Sequence, residues 1–103
     1  MKILVNKKYG GFDLNEEFIK EFSEQFPEIG EDELIAIRFG DFYRTNKKII
    51  KAIEDFGIDK AGRFSYTDLR IITIPDECTD WTIEEREGYE QIIYVLDGKL
   101  NFA

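Results

Sequence analysis

The chain of 103 residues fits a single domain, residues 1–103, and its hydrophobic content of 43% is too high for a disordered chain. Its 22 acidic and 14 basic side chains give a net charge of −8, which excludes a general nucleic-acid binder and an anionic membrane surface as partner. The acidity is uneven, because residues 53–103 hold twelve acidic against five basic side chains, whereas residues 1–52 hold ten against nine.

The chain opens with a predicted strand followed by a predicted helix. Residues 2–6 are short, apolar and rich in β-forming side chains, and the paired glycines at 10–11 break the strand. Asn15 can cap a helix that ends before Pro27. Its apolar residues recur at helical spacing and are Phe18, Ile19, Phe22 and Phe26.

Residues 34–39 are the ambiguous segment of the first half. A short apolar run of this kind favours a buried strand, which we predict, and a helical turn is the alternative. Thr45 or Asn46 can then cap a second helix, and Gly57 can end it. The buried stripe of that helix consists of Ile49, Ile50, Ile53 and Phe56.

The second half of the chain predicts an antiparallel meander. Residues 69–74 form a strand, residues 81–86 alternate in polarity, and residues 89–96 are rich in β-forming side chains. The Asp97-Gly98 dipeptide is typical of a tight hairpin turn. We therefore predict an α+β domain with the element order β-α-β-α-β-β-β. The predicted core consists of Leu4, Phe18, Phe22, Ile37, Ile50, Ile53, Ile72, Ile83 and Ile93.

The groups that most enzymes use near neutral pH are missing from the chain. It has no His and a single Cys, Cys78, which excludes an internal disulfide and the Ser-His and Cys-His catalytic pairs. We therefore expect no catalytic residue, no metal and no cofactor. The sequence also lacks the apolar run of a signal peptide or a membrane span, so we expect a cytoplasmic protein without a membrane partner.

Two segments could hold an anionic ligand. The first joins the first strand to the first helix, where main-chain N–H groups can face a phosphate; it consists of Tyr9, Gly10, Gly11 and Phe12. It lacks the phosphate-loop and dinucleotide patterns, and a tight turn that places Phe12 in the core is the alternative. The second segment is a basic face of the second helix, which could equally be an ordinary solvated face; it consists of Arg44, Lys47, Lys48 and Lys51.

Acidic side chains gather on the predicted C-terminal strands. They could form a partner-facing acidic surface, and they are Glu84, Glu85, Glu87 and Glu90. Glu85 and Glu90 could also serve a metal-assisted hydrolase, since paired carboxylates can bind a hard cation or transfer protons. The spacing of a calcium-binding loop is not present, and glutamates on surface strands commonly provide solubility and edge protection.

Several short segments resemble small proteins of bacteriophages and prophages. In that group a strand leads to Tyr-Gly-Gly-Phe, one further residue, Leu, and then Ser or Asn at the start of a helix, as residues 2–17 do here. Other similar segments are Arg44-Thr45-Asn46, Ala61-Gly62, residues 69–76, residues 81–85 and Gly88-Tyr89-Glu90. The resemblance implies a phage or prophage accessory protein in the host cytoplasm. It supplies no site residues, because no shared activity is established for that group.

These features lead to three functional predictions. The first is a non-catalytic accessory protein that binds a host protein, since catalytic groups are missing and the acidity is one-sided. The second is a protein that sequesters an anionic nucleotide-like molecule, with Tyr9 or Phe12 stacking on a base and Arg44 or Lys47 holding a phosphate. The third is the metal-assisted hydrolase. Self-association, with the basic face of one copy on the acidic strands of another, is a further alternative.

Overall fold

The computed structural model describes residues 1–41, 43–63 and 67–103, and it confirms the predicted α+β class. The N-terminal strand, the first and the last long helix, and the C-terminal strands all lie where the sequence predicts them. In chain order the elements are β1 (Lys2–Asn6), α1 (Glu16–Gln25), α2 (Glu31–Phe39), α3 (Lys47–Phe56), α4 (Ile58–Ala61), β2 (Leu69–Thr73), β3 (Asp80–Arg86), β4 (Tyr89–Leu96) and β5 (Lys99–Phe102).

The strands form two antiparallel sheets. β1 pairs with β2, with Leu4 opposite Ile71. β3, β4 and β5 form a three-stranded meander in which Ile83 lies opposite Ile92 and Ile93 lies opposite Phe102. The predicted meander is therefore confirmed for the last three strands, whereas β2 returns to pair with the first strand of the chain.

The ends of α1 and α3 follow the predicted capping. The Asn15 side chain accepts a hydrogen bond from the Phe18 N–H group at 2.7 Å, and the Asn46 side chain accepts from Lys48 and Ile49 at 3.0 and 3.2 Å. Gly57 follows the last residue of α3, as predicted. Within the described ranges, no helix has the length and apolarity needed to cross a membrane.

Residues 34–39 are helical, so the strand predicted for them is wrong. Three acidic side chains in the first turn of α2 favour the helix through its dipole, and Gly40 ends it in the left-handed conformation, with a φ of 71°. Leu34 and Ile37, three residues apart, reach the core, while Ile35 and Phe39 point to solvent. The apolar run is thus a helix with apolar side chains on two sides.

The core is divided into a helical cluster and a sheet cluster. The helical cluster packs Phe18 and Phe22 of α1 against Ile53 of α3 and Leu4 of β1. The sheet cluster lies between the two sheets, and its buried residues are Ile3, Val5, Ile74 and Ile92. Six of the nine predicted core residues are buried, and Ile72 and Ile83 are half-buried against the sheet cluster. Ile93, however, belongs to neither cluster, because it lies on the opposite face of β4 from Ile92.

Candidate functional site

A buried ion pair joins the α2–α3 connection to β4. The guanidinium of Arg44 donates to both carboxylate oxygens of Glu90, from Nη1 to Oε1 at 2.7 Å and from Nη2 to Oε2 at 2.6 Å. Arg44 also donates to the main-chain oxygens of Gly40 and Leu4, at 2.8 and 2.9 Å. This bidentate geometry is the strong form of an Arg–carboxylate pair. Arg44 precedes α3, so the prediction that it shares a helix face with the lysines is wrong.

The remaining groups around this pair complete its hydrogen bonding. The Asn6 N–H group donates to Glu90 Oε1 at 2.8 Å, and the Phe12 ring lies 3.9 Å from the Arg44 guanidinium carbon. Glu90 is 4% exposed, so its prediction as part of an acidic surface is wrong. Glu90 is buried and the Arg44 side chain is 12% exposed, so the charge of Arg44 is neutralised within the fold by Glu90 and is not available to an anionic ligand.

The segment from Tyr9 to Phe12 is divided between the core and the surface. Phe12 is buried, as the tight-turn alternative predicts, whereas Tyr9 is 64% exposed and its ring lies 5.5 Å from that of Tyr89. The Gly10 N–H group donates to the Glu87 carbonyl at 3.0 Å. Tyr9 and Arg44 line separate cavities. Of the predicted base-stacking residues only Phe12 meets Arg44, and its buried ring covers the guanidinium.

The three lysines of the predicted basic face lie on α3 and are exposed. Lys51 pairs with Asp55 at 3.4 Å, and the Lys48 amine lies 5.4 Å from the centre of the Phe26 ring. Because Arg44 does not belong to α3 and the lysines make only local contacts, the predicted basic face is a solvated helix surface.

The predicted acidic residues do not share one surface. Glu84 and Glu85 are neighbours on β3 and therefore point to opposite faces of the sheet, and Glu87 lies in the β3–β4 turn. Glu85 accepts a hydrogen bond from the Gly88 N–H group, and Glu84 faces Arg86 at 3.7 Å. No group of three acidic or Cys side chains in the described part of the chain is arranged to hold a metal ion.

The C-terminal sheet has one face that packs on no other element among the described residues. We call it the outer face; it consists of Asp80, Thr82, Glu84 and Arg86 on β3, Tyr89, Gln91, Ile93 and Val95 on β4, and Leu100 and Phe102 on β5. Leu100 and Phe102 are 65% and 60% exposed, and Ile93 and Val95 between the edges are half-buried. The opposite face carries the residues of the sheet cluster, such as Ile92 and Trp81.

Tyr9 and Lys7 close one end of the outer face. The ring of Tyr9 packs on that of Tyr89 at an interplanar angle of 35°. The Lys7 amine lies 5.3 Å from the centre of the Tyr89 ring and donates to the Ala103 oxygen at 2.8 Å. Burial lowers the pKa of Lys7, and the charge of Glu90 partly opposes this effect. The outer face is therefore aromatic at this end and aliphatic at the other.

Charge and apolar character are separated across the outer face. Its apolar side chains lie on β4 and β5, whereas the β3 side carries Asp80, Glu84 and Arg86. Over the whole meander, five exposed acidic side chains oppose two exposed basic ones, Arg86 and Lys99. The acidic ones are Asp80, Glu84, Glu85, Glu87 and Asp97.

The sequence contains a signal for this surface that the prediction did not use. Residues 92–96 are apolar without interruption, although a strand with one solvent-exposed face normally alternates apolar and polar residues. Such a run means that both faces of β4 are apolar. Comparison with protein-family models, with characterised proteins and with solved structures finds no match to this chain.

Proposed function

We propose that this chain is a non-catalytic binding domain that docks a partner protein on the outer face of its C-terminal sheet. The observation that carries the proposal is the exposure of Leu100 and Phe102, 65% and 60%, beside Ile93 and Val95 on the same face. A sheet normally buries its apolar face against another layer of structure. A contiguous apolar surface that remains exposed is typical of a site of interaction.

The charges around the outer face favour a basic partner. Asp80 and Glu84 are exposed on the outer face against one basic strand residue, Arg86, and this acidic excess attracts Lys and Arg and disfavours a second copy of the same face. The partner surface that fits therefore combines an apolar stripe with flanking positive charge.

An amphipathic helix of the partner matches the dimensions of this face. The outer-face residues of β4 run from Tyr89 to Val95, six residue steps, which is about 20 Å of strand. A helix covers the same distance with about 14 residues. Its apolar stripe would lie on β4 and β5, with Lys or Arg directed toward Asp80 and Glu84.

The resemblance to phage and prophage proteins supports a host protein as the partner. The nucleotide-binding and hydrolase alternatives lack comparable support. Arg44 and Glu90, proposed for the phosphate and the metal, are engaged with each other. Lys47, the other candidate for the phosphate, lines a different cavity from Tyr9. Self-association through the basic face is also less favoured, because Arg44 is paired with Glu90 and cannot contribute its charge to that face.

Calorimetric titration with a synthetic helix tests the proposal. The probe is a peptide of about 14 residues with a Leu stripe at helical spacing and Lys at the flanking positions, and its control carries Glu in place of every Lys. We expect the Lys peptide to bind and the Glu peptide to bind at least about tenfold more weakly, because its charge matches that of the sheet.

A double variant identifies the surface that is used. Leu100→Ser/Phe102→Ser should weaken binding of the Lys peptide at least about tenfold, since each side chain loses apolar area that binding would bury. Ile35→Ser/Phe39→Ser on α2 is the matched control, because it removes two exposed apolar side chains from a different surface. Equal binding by the parent and the β5 variant would contradict the proposal.

A further inference from the structure

We infer that the free edge of β3 is a second binding site, which takes an extended peptide with a basic side chain as an added strand. This site is separate from the outer face, so neither assignment depends on the other. The inference follows from the direction of the main-chain groups of β3, from the groove beside them and from the charges in that groove.

The hydrogen-bond pattern of the meander fixes which main-chain groups of β3 are free. Ile92 and Ala103 bond to each other through both main-chain groups, at 2.9 and 2.8 Å, so the even-numbered residues of β4 face β5. The odd-numbered residues of β4 therefore face β3, where they pair with even-numbered residues. The main-chain groups of Trp81, Ile83 and Glu85 consequently point away from the sheet. The Trp81 N–H group already donates to Asp80 Oδ1 at 2.9 Å, so an added strand would pair with Ile83 and Glu85.

A groove lies along this edge. It has a volume of about 580 Å³, within the usual range of ligand sites, and it separates β3 from the α2–α3 connection. The three residues whose main-chain groups point outward, Trp81, Ile83 and Glu85, all line it. Their side chains also share one face of β3, so an added strand would meet both hydrogen-bonding groups and the half-buried surfaces of Trp81 and Ile83.

The charges of the groove select the peptide. Its charged lining consists of Asp41, Arg44, Glu85 and Glu90. Arg44 and Glu90 neutralise each other in the bidentate pair, which leaves the two carboxylates of Asp41 and Glu85. A peptide side chain that ends in an ammonium or guanidinium group complements them, whereas an acidic peptide would be repelled. The assigned ligand is therefore an extended segment with a Lys or Arg between β-forming residues.

The fluorescence of Trp81, the single Trp of the chain, can follow binding in the groove directly. The probe is a capped peptide of about five alternating Val and Lys residues, which matches the length of the edge at about 3.4 Å per residue. We expect a saturable change in Trp81 emission with this peptide and none with its Val-Glu counterpart.

N-methylation of the peptide distinguishes strand pairing from charge attraction. Alternate residues of an extended peptide direct their N–H groups to opposite sides. One of two isomers, methylated at the Val or at the Lys nitrogens, should therefore lose at least tenfold in affinity while the other binds as the parent peptide does. Equal effects of the two isomers would overturn the inference.

Neighbouring glutamates of β3 provide matched variants. Glu85→Gln, in the groove, should weaken binding of the Val-Lys peptide about two- to fivefold, whereas Glu84→Gln, on the outer face, should leave it unchanged. Leu100→Ser/Phe102→Ser should bind this peptide like the parent, so a failure of the outer-face proposal would leave the result intact. A dimer that the Val-Lys peptide dissociates would assign the edge to a second copy instead and overturn the inference.

Discussion

Two contacts join residues of the first half of the chain to the C-terminal sheet, and neither can be predicted from the local sequence. Glu90 sits among exposed glutamates in the sequence, yet it is buried because Arg44, 46 residues away, supplies a bidentate partner. Gly88 belongs to an ordinary two-residue hairpin turn, yet it touches Gly11 from the other end of the chain. Local sequence patterns indicate charge and turn type, whereas contacts between residues that are distant in the sequence depend on the tertiary structure.

The ion pair predicts an asymmetric response to mutation. Glu90→Gln should lower the free energy of unfolding by about 3–5 kcal/mol, because it leaves the buried guanidinium of Arg44 without a counter-charge. Urea denaturation measures the change. The double variant Arg44→Met/Glu90→Leu should lower the free energy of unfolding by less than the sum of the single variants Arg44→Met and Glu90→Leu, since it leaves no unpaired charge. Additive costs would show that the two side chains act independently.

Substitution of Gly88 by Ala should cause a steric clash, and Gly98→Ala is the matched control. An added Cβ would lie 2.1 Å from the Gly11 nitrogen, whereas the same addition at Gly98 meets nothing within 4 Å. Both residues have positive φ angles, 90° and 73°, so Ala is strained at both by about 1–2 kcal/mol. Gly88→Ala should therefore cost about 1–3 kcal/mol more than Gly98→Ala in thermal or urea unfolding. Equal losses of stability in the two variants would show that the backbone around Gly11 and Gly88 shifts to accommodate the added methyl group without a free-energy cost.

At the scale of elements, the sequence predicts what local chemistry determines. Asn15 and Asn46 identify two helix starts, and Asp97-Gly98 identifies the last hairpin, because capping and turn geometry involve only neighbouring residues. Residues 34–39 could not be assigned from their apolar run, since a helix with two apolar sides and a buried strand have the same composition there. The outer face was not predicted for a related reason, because the apolar run at 92–96 does not show which of its residues face the core; the predicted core included Ile93, which lies on the outer face.

The cap of α3 predicts a local loss of stability. Asn46→Ala should lower the free energy of unfolding by about 1 kcal/mol, because the N–H groups of Lys48 and Ile49 lose their acceptor. Asn46→Asp is the control, since a carboxylate can accept the same bonds and also interacts favourably with the helix dipole. Urea denaturation that finds Ala and Asp equally stable would contradict this role.

At the scale of the whole molecule, the two halves of the fold have different roles. The sheet cluster and the Arg44–Glu90 pair anchor the meander, and the meander presents the outer face and the edge of β3. The composition, with its missing imidazole and one-sided acidity, predicts a binding domain in outline. The position of the proposed binding surface could not be predicted, because it depends on the register of three strands.

Substitutions on the outer face should weaken binding of the partner without a large loss of folding stability. Leu100→Ser/Phe102→Ser should change the free energy of unfolding by less than about 1 kcal/mol, since both side chains are mostly exposed and pack in neither core cluster. Ile92→Ser, one strand away but fully buried, is the contrasting variant and should cost several kcal/mol, about 3 or more. A β5 variant as unstable as Ile92→Ser would place Leu100 and Phe102 in the core.

The most direct test of the central claim is a nitrogen-15 NMR titration of the full chain with the Lys-flanked helical peptide. We expect the amide shifts to concentrate on the outer-face residues of β4 and β5, on Tyr9 and on the β3 carboxylate positions Asp80 and Glu84, and to vanish in Leu100→Ser/Phe102→Ser. Shifts confined to α2 or to the α3 lysines, with the meander unaffected, would contradict it.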